Sequence, residues 1–240
     1  MLSEKELLKP IPKCTIKWVN WKKIPIKENR EKLINTDTLN KTKVKVFPIY
    51  FVNKINDAVN YCLLRETLVE KIDNISRKIP DGYKLLLLDG WRPQKVQQNL
   101  FDHYKSILMG KNLNWDDKKI DYETQLYAAK PTSDILSPSP HFTGGAIDLT
   151  LEFDGHFLDM GTSHDDSSPL SKTSAFESMN NINDKRINMV VKNRRILYNL
   201  MVSEGFSNYS NEWWHFDYGN QLWGLATKNK AIYGGINFLL

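Results

Sequence analysis

The sequence predicts an α+β fold, with a small and mostly antiparallel sheet flanked by helices. Three observations predict it: three segments with helical periodicity, short apolar segments between them, and Gly or Pro residues at the boundaries. The 240 residues are 41% hydrophobic and 25% charged, which is typical of globular proteins and excludes a disordered or collagen-like chain. We expect one domain over residues 1–240, with residues 1–54 as a basic segment packed on it.

The first predicted elements lie between residues 55 and 93. Residues 55–79 are expected to form a long helix, because apolar side chains recur at spacings of three and four residues. They are Tyr61, Leu64, Leu68, Ile72, Ile75 and Ile79. The turn residues at 80–82 would end this helix, the continuous apolar run at 83–88 predicts a buried strand, and residues 89–93 predict a tight loop.

The remaining elements follow in the second half of the chain. A second helix is indicated by Val96, Leu100, Tyr104 and Ile107, and it would end at Gly110. Residues 111–140 read mostly as loop, 145–151 as a strand, and 152–182 as a long polar connection of the kind that often has a function. A third helix is expected at 184–204, with Gly205 after its end, and a last strand at 214–218.

Positive charge is concentrated at the N-terminus. Residues 1–54 contain 13 basic and 5 acidic residues, a net charge of +8, whereas the rest of the chain has a net charge of −3. A basic arm can bind nucleic acid or an anionic membrane. However, its lysines alternate with apolar residues such as Trp18 and Trp21, which favours a segment packed on a core. We therefore expect no nucleic acid and no membrane as partner.

Cysteine usage and the N-terminal sequence indicate a cellular location. Cys14 and Cys62 have no metal-binding spacing, and two free thiols suit a reducing compartment, although one disulfide stays open. The first ten residues lack the apolar region of a secretion signal. The expected location is cytoplasmic, but a chain trimmed of its signal would look the same.

Four polar residues lie among apolar ones in a way that suggests a metal site. His141 is followed by the glycines 144 and 145 and by Asp148, a carboxylate on an apolar strand, which is costly unless it is paired or bound to metal. Two imidazoles and one carboxylate with an open position are what a catalytic zinc site requires, so His215 would complete the set. Glu212, three residues earlier, would point away along a strand and suit a base outside the coordination shell.

Taken singly, each of His141 and His215 has an alternative to the role of metal ligand, namely a hydrogen-bonded histidine in the core. The other three histidines, His103, His156 and His164, are most simply surface or loop residues.

Motifs in these regions resemble a known family. Ser-x-His-x-x-Gly-x-Ala-x-Asp at 139–148, together with Glu-Trp-Trp-His at 212–215, resembles the zinc D-alanyl-D-alanine dipeptidases. These are the vancomycin-resistance-type branch of the zinc D-Ala-D-Ala carboxypeptidase family. Asp-Gly-Trp-Arg-Pro at 89–93, Leu-Asp-Met-Gly-Thr at 158–162 and Asn-Arg-Arg at 193–195 also point to this branch. The resemblance extends from about residue 83 to residue 218.

The resemblance implies a set of roles at the matching positions. One zinc ion per chain would be held by His141, Asp148 and His215, Glu212 would be the general base for a zinc-activated water, and Arg92 would stabilise the oxyanion. From the residues alone, the favoured interpretation of Arg92 is an arginine at a helix start, paired with Asp89 or solvated.

Two further positions would contact the substrate. Asp165 matches an aspartate that holds the substrate ammonium group, but Asp166 follows directly and both stay open, and His164 stands where the family commonly has Phe. Ser139 matches a serine that contacts substrate, or it stabilises the loop before Pro140. Residues 20–50 contain no recognisable match to the family's Tyr-containing segment, so that side of the pocket is unassigned.

The expected reaction is hydrolysis of D-Ala-D-Ala, or a close D,D-dipeptide, to free amino acids. The expected partner is thus a small zwitterionic dipeptide, while the oligomeric state is not predicted. Two alternatives remain: a zinc D,D- or L,D-carboxypeptidase acting on peptidoglycan stem peptides, and a non-catalytic zinc-binding protein of the same fold.

Overall fold

The protein contains a six-stranded sheet, a two-stranded ribbon and seven α-helices in the computed structural model, which describes residues 2–125, 128–132, 134–179 and 183–237. The strands are β1 (Leu33–Asn35), β2 (Val44–Val46), β3 (Leu63–Arg65), β4 (Tyr83–Asp89), β5 (Ala146–Phe153), β6 (His156–Phe157), β7 (Ser207–Asn208) and β8 (His215–Asp217). The helices are α1 (Glu4–Leu7), α2 (Ile49–Val52), α3 (Glu66–Lys78), α4 (Gln94–Lys111), α5 (Asp117–Thr124), α6 (Lys185–Ser203) and α7 (Gln221–Thr227).

The main sheet has the order β2-β4-β5-β8-β7, with β6 also paired to β5. Only the β2–β4 pair is parallel among these described strands, and β1 pairs with β3 antiparallel in the separate ribbon. The predicted α+β class with a mostly antiparallel sheet is therefore confirmed.

Strand β5 separates the core from the polar face of the sheet. Because side chains alternate along a strand, Ile147, Leu149 and Leu151 point to one face, where they pack with residues of α3 and α6 in the main core. Asp148 lies on the opposite face and is nevertheless only 2% exposed. In the sheet register Asp148 lies opposite His215 of β8 and Asp89 of β4, so backbone pairing brings three polar residues together.

Two predicted segments differ from the structure. The helix expected over 55–79 begins only at Glu66, because Leu63–Arg65 forms β3 and pairs with β1. Leu64 is fully buried in the strand. Its apolar side chain fits the spacing of a helical face as well as a short buried strand, and for this reason the sequence predicted a helix here. The expected loop at 111–140 contains α5, which Asp116 caps by accepting a hydrogen bond from the Lys119 amide.

The other elements agree with the sequence within a few residues. The strands expected at 83–88 and 145–151 are β4 and β5, and the helices around 96–107 and 184–204 are α4 and α6. Gly205 follows the end of α6 with a φ of +83°, which glycine adopts without strain. The connection at 152–179 holds β6 and two short 3-10 turns, and residues 180–182 of the expected loop lie outside the described residues.

Residues 1–54 pack along the rest of the chain over their described part. Leu7, Ile11 and Leu33 are buried, and the Asn199 side chain donates to the carbonyls of Leu7 and Lys9. Cys14 and Cys62 are free thiols, in agreement with one of the two expectations. None of the described helices is both long and apolar enough to cross a membrane.

Candidate metal centre and active site

Three buried side chains on the polar face of the sheet point at a common position. Asp148 comes from β5, His215 from β8, and His141 from a 3-10 turn that ends in Gly144 at a φ of +68° and leads into β5. The separations are 3.2 Å between His141 Nε2 and His215 Nδ1, 2.9 Å between His215 Nδ1 and Asp148 Oδ1, and 3.4 Å between His141 Nε2 and Asp148 Oδ1.

This group is able to hold a metal ion. Tetrahedral zinc with bonds of about 2.0–2.1 Å places neighbouring donor atoms about 3.3 Å apart, close to the three separations observed here. Two imidazole nitrogens and one carboxylate oxygen are also a donor set that zinc accepts, and they leave a fourth position open. The cofactor expected from the sequence, one zinc ion, therefore fits these residues.

Hydrogen bonds on the outer side of each imidazole set its tautomer. His141 Nδ1 donates to the Gly90 carbonyl at 2.8 Å, and a carbonyl can only accept, so Nε2 presents its lone pair to the metal position. His215 Nε2 donates to Asp217 Oδ1 at 3.0 Å, which frees Nδ1 in the same way. Asp217 is fully buried and is held by the Asn220 amide at 2.6 Å. Such outer partners orient ligands and tune metal affinity.

The outer oxygen of Asp148 is also occupied. Asp148 Oδ2 lies 3.2 Å from His164 Nε2 and 3.6 Å from Arg92 Nη2. Burial alone would raise the pKa of Asp148, but the neighbouring His141, His164 and His215 outweigh it and hold the pKa well below its usual range. The carboxylate is thus kept ionised, as a metal ligand must be.

Glu212 approaches the metal position from a turn that precedes β8. Its amide donates to the Tyr209 carbonyl at 2.9 Å, and its Oε2 lies 3.9 Å from His215 Nδ1. The carboxylate is therefore near the metal position without belonging to the group of three. Burial raises the pKa of Glu212 to about 7, with His215 opposing the rise and Asp148 adding to it. A group with this pKa can accept and return a proton near neutral pH.

Arg92 lies just before α4, and its Nη2 is 3.6 Å from Asp148 Oδ2. Its Nε donates to Asp89 Oδ2 at 2.9 Å, its Nη1 to Gln97 Oε1 at 2.8 Å and its Nη2 to the Tyr50 hydroxyl at 3.2 Å. Pairing with Asp89, the alternative that the sequence left open, is thus present. Arg92 also lines the cavity next to the metal group, so the pairing fixes the guanidinium at the site and does not remove it.

The two candidate aspartates have different surroundings. Asp165 lines the same cavity as the metal group, and its Oδ2 accepts from the Tyr50 hydroxyl at 3.0 Å. Asp166 turns to its own loop, where its Oδ1 accepts from the Ser168 amide at 2.8 Å and lies 3.1 Å from Ser171 Oγ. Asp165 is therefore the one placed to meet a ligand in this cavity.

The cavity has a volume of about 140 Å³, and most of the predicted site residues face it. They are Arg92, His141, Asp148, Asp165, Glu212 and His215. Ser139 is buried and does not line it; its carbonyl accepts from the Phe142 amide within the turn that carries His141. Ser139 is therefore the one predicted site residue that does not face this cavity.

Three residues of this region were missed from the sequence. Tyr50 connects Arg92 to Asp165, and Trp21 lines the cavity, so both fill the side that was unassigned. His164, expected as a surface or loop residue, lies in a loop but is bonded to Asp148. The sequence did contain a signal for His164, because this position holds His where the family commonly has Phe. His103 and His156 are exposed as expected.

Comparison with known proteins agrees with this geometry. Residues 50–232 match the D-ala-D-ala dipeptidase family, a range that contains all the predicted site residues. The chain belongs to this family. The D-alanyl-D-alanine dipeptidase of Synechocystis is 30% identical over 215 residues, which cover 83% of this chain and 87% of the relative.

Other family members are similar over a shorter range. The D-alanyl-D-alanine dipeptidase of Enterococcus faecium is 34% identical over 137 residues, covering 56% of this chain and 62% of the relative. The solved vancomycin-resistance D,D-pentapeptidase VanY in complex with Zn(II) is a distant neighbour, with 14% identity and a TM-score of 0.41 over 88% of this chain and 97% of that chain.

Membership of the D-Ala-D-Ala dipeptidase family makes the chain a metallopeptidase. The group formed by His141, Asp148 and His215 is able to hold the metal ion that such an enzyme needs. Trp21 lies outside the range matched by the family and yet faces the same cavity.

Proposed function

We propose that the protein hydrolyses D-Ala-D-Ala, or a close D,D-dipeptide, to free amino acids in a zinc-dependent reaction. The observation that carries this proposal is the placement of an acid, Asp165, and a cation, Arg92, in one small cavity with the metal group. A free dipeptide has a charged ammonium group, and the carbonyl to be cleaved is only a few bonds from it. The family membership and the D-alanyl-D-alanine dipeptidase names of the relatives support this substrate class.

In the proposed binding mode, Asp165 receives the substrate ammonium group. Its carboxylate is oriented by the Tyr50 hydroxyl, and its side chain is 28% exposed, so it is accessible from the cavity. An acid at this position selects a substrate whose amino group is free. A longer chain has a neutral amide there, which would displace water from Asp165 without bringing a positive charge to it.

Zinc, held by His141, Asp148 and His215, would supply an electrophile that polarises the scissile carbonyl and lowers the pKa of water. Glu212 takes the proton of the attacking water and passes it to the leaving amine, a double role that suits its pKa of about 7. Arg92 stabilises the negative charge that develops on the carbonyl oxygen. Because Asp89, Gln97 and Tyr50 already hold its guanidinium, little reorganisation is needed during the reaction.

Substitution of Glu212 tests this mechanism. Glu212→Gln keeps the shape but cannot accept a proton, so we expect kcat for D-Ala-D-Ala to fall by about 10²–10⁴-fold while the zinc content stays at one per chain. Glu70→Gln, a substitution of the same type at an exposed position of α3, is the control. Hydrolysis by the Glu212 variant at the wild-type rate would contradict the assigned role.

A carboxypeptidase acting on peptidoglycan stems is the second candidate. A neighbouring open cavity of about 340 Å³ shares Asp165, Tyr209 and Glu212 with the first, and it offers room for a longer chain. A stem pentapeptide assayed beside the free dipeptide separates the two reactions. Preferential cleavage of the pentapeptide would favour the carboxypeptidase.

A non-catalytic zinc protein is the third possibility. The arrangement of Glu212 and Arg92 around the metal group speaks against it, since mere zinc binding requires neither. Zinc-loaded protein that cleaves no member of a D,D- and L,D-peptide panel would favour it.

A further inference from the structure

The basic N-terminal segment reaches the substrate cavity through one 3-10 turn, Trp21–Lys23. The indole of Trp21 is half-buried and lines the cavity together with Leu222 of α7. Residues 1–49 lie outside the range matched by the family, and all the residues with proposed chemical roles lie inside it. The wall at Trp21 is thus an addition to the family-matched part of the site.

This turn is attached to α7 by a buried amide. Gln221 is 2% exposed, and its Nε2 donates to the Lys22 carbonyl at 2.9 Å and to the Ile24 carbonyl at 2.8 Å. If the turn moved away, the buried Gln221 amide would lose these hydrogen-bond partners, at a cost of about 1–3 kcal/mol in free energy. The turn is therefore held firmly. Because Leu222 follows Gln221 directly, the same attachment fixes Leu222 and Trp21 relative to each other.

The segment is also attached on the other flank of the cavity. Trp18 Nε1 donates to Ser210 Oγ at 2.8 Å, and the Trp18 ring lies edge-on to Tyr209 with centroids 5.2 Å apart. Tyr209 lines the cavity, and its carbonyl accepts from the amide of Glu212. Residues 18–24 therefore bridge the turn that carries Glu212 and the helix that carries Leu222.

The cavity lining divides by chemistry. Its ionisable residues include the metal group, Arg92 and Glu212, whereas the apolar ones are Trp21, Leu100, Ala128, Ala129, Pro140 and Leu222. Trp21 is the bulkiest apolar residue among them. If the charged groups of a dipeptide occupy the polar part, its side chains are left to face the apolar part.

We propose that Trp21 is a specificity-determining residue, which closes the apolar side of the cavity and limits the size of the dipeptide side chain that faces it. The proposal rests on the proposed dipeptidase function and adds the residue that sets its substrate range. Contacts of this kind discriminate by about 10–200-fold per methylene. Removing a whole indole therefore has a measurable effect on bulky substrates.

The test compares wild type and Trp21→Ala on D-Ala-D-Ala, D-Ala-D-Phe and D-Phe-D-Ala. We expect kcat/KM for one of the two bulky dipeptides, relative to D-Ala-D-Ala, to rise by about tenfold or more, mainly through a lower KM. The bulky dipeptide that gains identifies the substrate residue next to Trp21. Zinc content is expected to remain at one per chain, because Trp21 is not in the metal group.

Trp223→Ala is the matched control. Trp223 is another half-buried tryptophan, but its Nε1 donates to the Gly205 carbonyl, its ring lies against Tyr218, and it does not line the cavity. We expect the control to leave the substrate ratios at their wild-type values. If Trp21→Ala does not fold, Trp21→Leu removes part of the wall and is expected to change the same ratio in the same direction.

The possible failures can be told apart. Wild-type protein that cleaves no D,D-dipeptide overturns the proposed function, and the specificity role falls with it. Wild-type protein that cleaves D-Ala-D-Ala, with ratios for a folded Trp21 variant within twofold of wild type, overturns only the role of Trp21. Equal changes in the Trp21 and Trp223 variants would also overturn it, since the effect would then be a general one.

Discussion

The two sides of the cavity are built differently. The metal side consists of His141, Asp148 and His215, which are at most 5% exposed and are fixed by strand pairing and by hydrogen bonds to buried partners. Two further lining residues, the half-buried Trp21 and Asp165, come instead from a 3-10 turn and a loop. The difference suggests that the chemistry depends on the rigid sheet, whereas substrate choice depends on segments attached to it.

The largest effect should follow from breaking the metal side. His141→Ala removes one of three ligands, so we expect zinc to be lost during gel filtration and hydrolysis of D-Ala-D-Ala to become undetectable. His103→Ala, at an exposed histidine of α4, is the control. Zinc retained at one per chain by the His141 variant would show that the ion is held elsewhere.

A smaller effect on the metal side is expected from Asp217, which accepts the hydrogen bond of the His215 nitrogen that faces away from the metal position. Asp217→Asn weakens the acceptor for His215 Nε2, so we expect zinc affinity to fall by about 10–100-fold, as measured by competition with a chelator. Asp166→Asn serves for comparison, because that carboxylate bonds only within its loop among the described contacts. An unchanged zinc affinity would mean that the β8 backbone alone orients His215.

Asp165→Asn, outside the group of three ligands, should affect substrate binding and leave the metal in place. We expect KM for D-Ala-D-Ala to rise by about tenfold or more, since the ammonium group loses a charged partner, while zinc content stays unchanged. Asp166→Asn is expected to alter KM much less. A larger effect at Asp166 would reassign the amine-binding residue.

The smallest effect concerns the attachment of the N-terminal segment. Glu31 accepts hydrogen bonds from the Thr67 amide, the Thr67 hydroxyl and the Tyr233 hydroxyl. Burial acts to raise the pKa of Glu31, but these bonds outweigh it and lower the pKa. The resulting stabilisation is present above the pKa of the unfolded chain, about 4.3, and is lost as pH falls through the lowered folded value.

We therefore expect Glu31→Gln to lower the free energy of unfolding by about 1 kcal/mol at neutral pH, and the difference from wild type to shrink as the pH is lowered below 4. Urea unfolding of both proteins over a pH series measures it, and any common effect of zinc release cancels in the difference. A difference independent of pH would exclude ionised Glu31 as its source.

The sequence was most informative where function and local pattern coincide. His141, Asp148, Glu212 and His215 lie in two short motifs, so their grouping could be predicted from residue types and spacing, although their roles stay predictions until tested. Tyr50 and Trp21 could not be found in this way. They come from segments far from the motifs in the sequence, and only tertiary packing brings them to the cavity.

The fold was predicted least well where one apolar pattern suits two structures. Leu64 fits the periodicity of a helix and also a short strand, and its pairing with Ile34 of β1, thirty positions earlier, decides between them. The buried guanidinium of Arg65 supports that choice by donating to the carbonyls of Thr143, Glu31 and Gly234. These acceptors are spread over the whole chain, and a local pattern contains no information about them.

The attachment of the Trp21–Lys23 turn to Gln221, which an isolated parallel bridge between Ile26 and Ala231 extends, has a consequence for the order of folding. The wall that contains Trp21 is attached to Gln221 and Ala231, so during synthesis it stays incomplete until these residues have left the ribosome. The metal ligands, by contrast, are all available once His215 has emerged. During refolding we therefore expect zinc uptake to precede the appearance of selectivity between small and bulky dipeptides, because closing a loop of some 200 residues is slow.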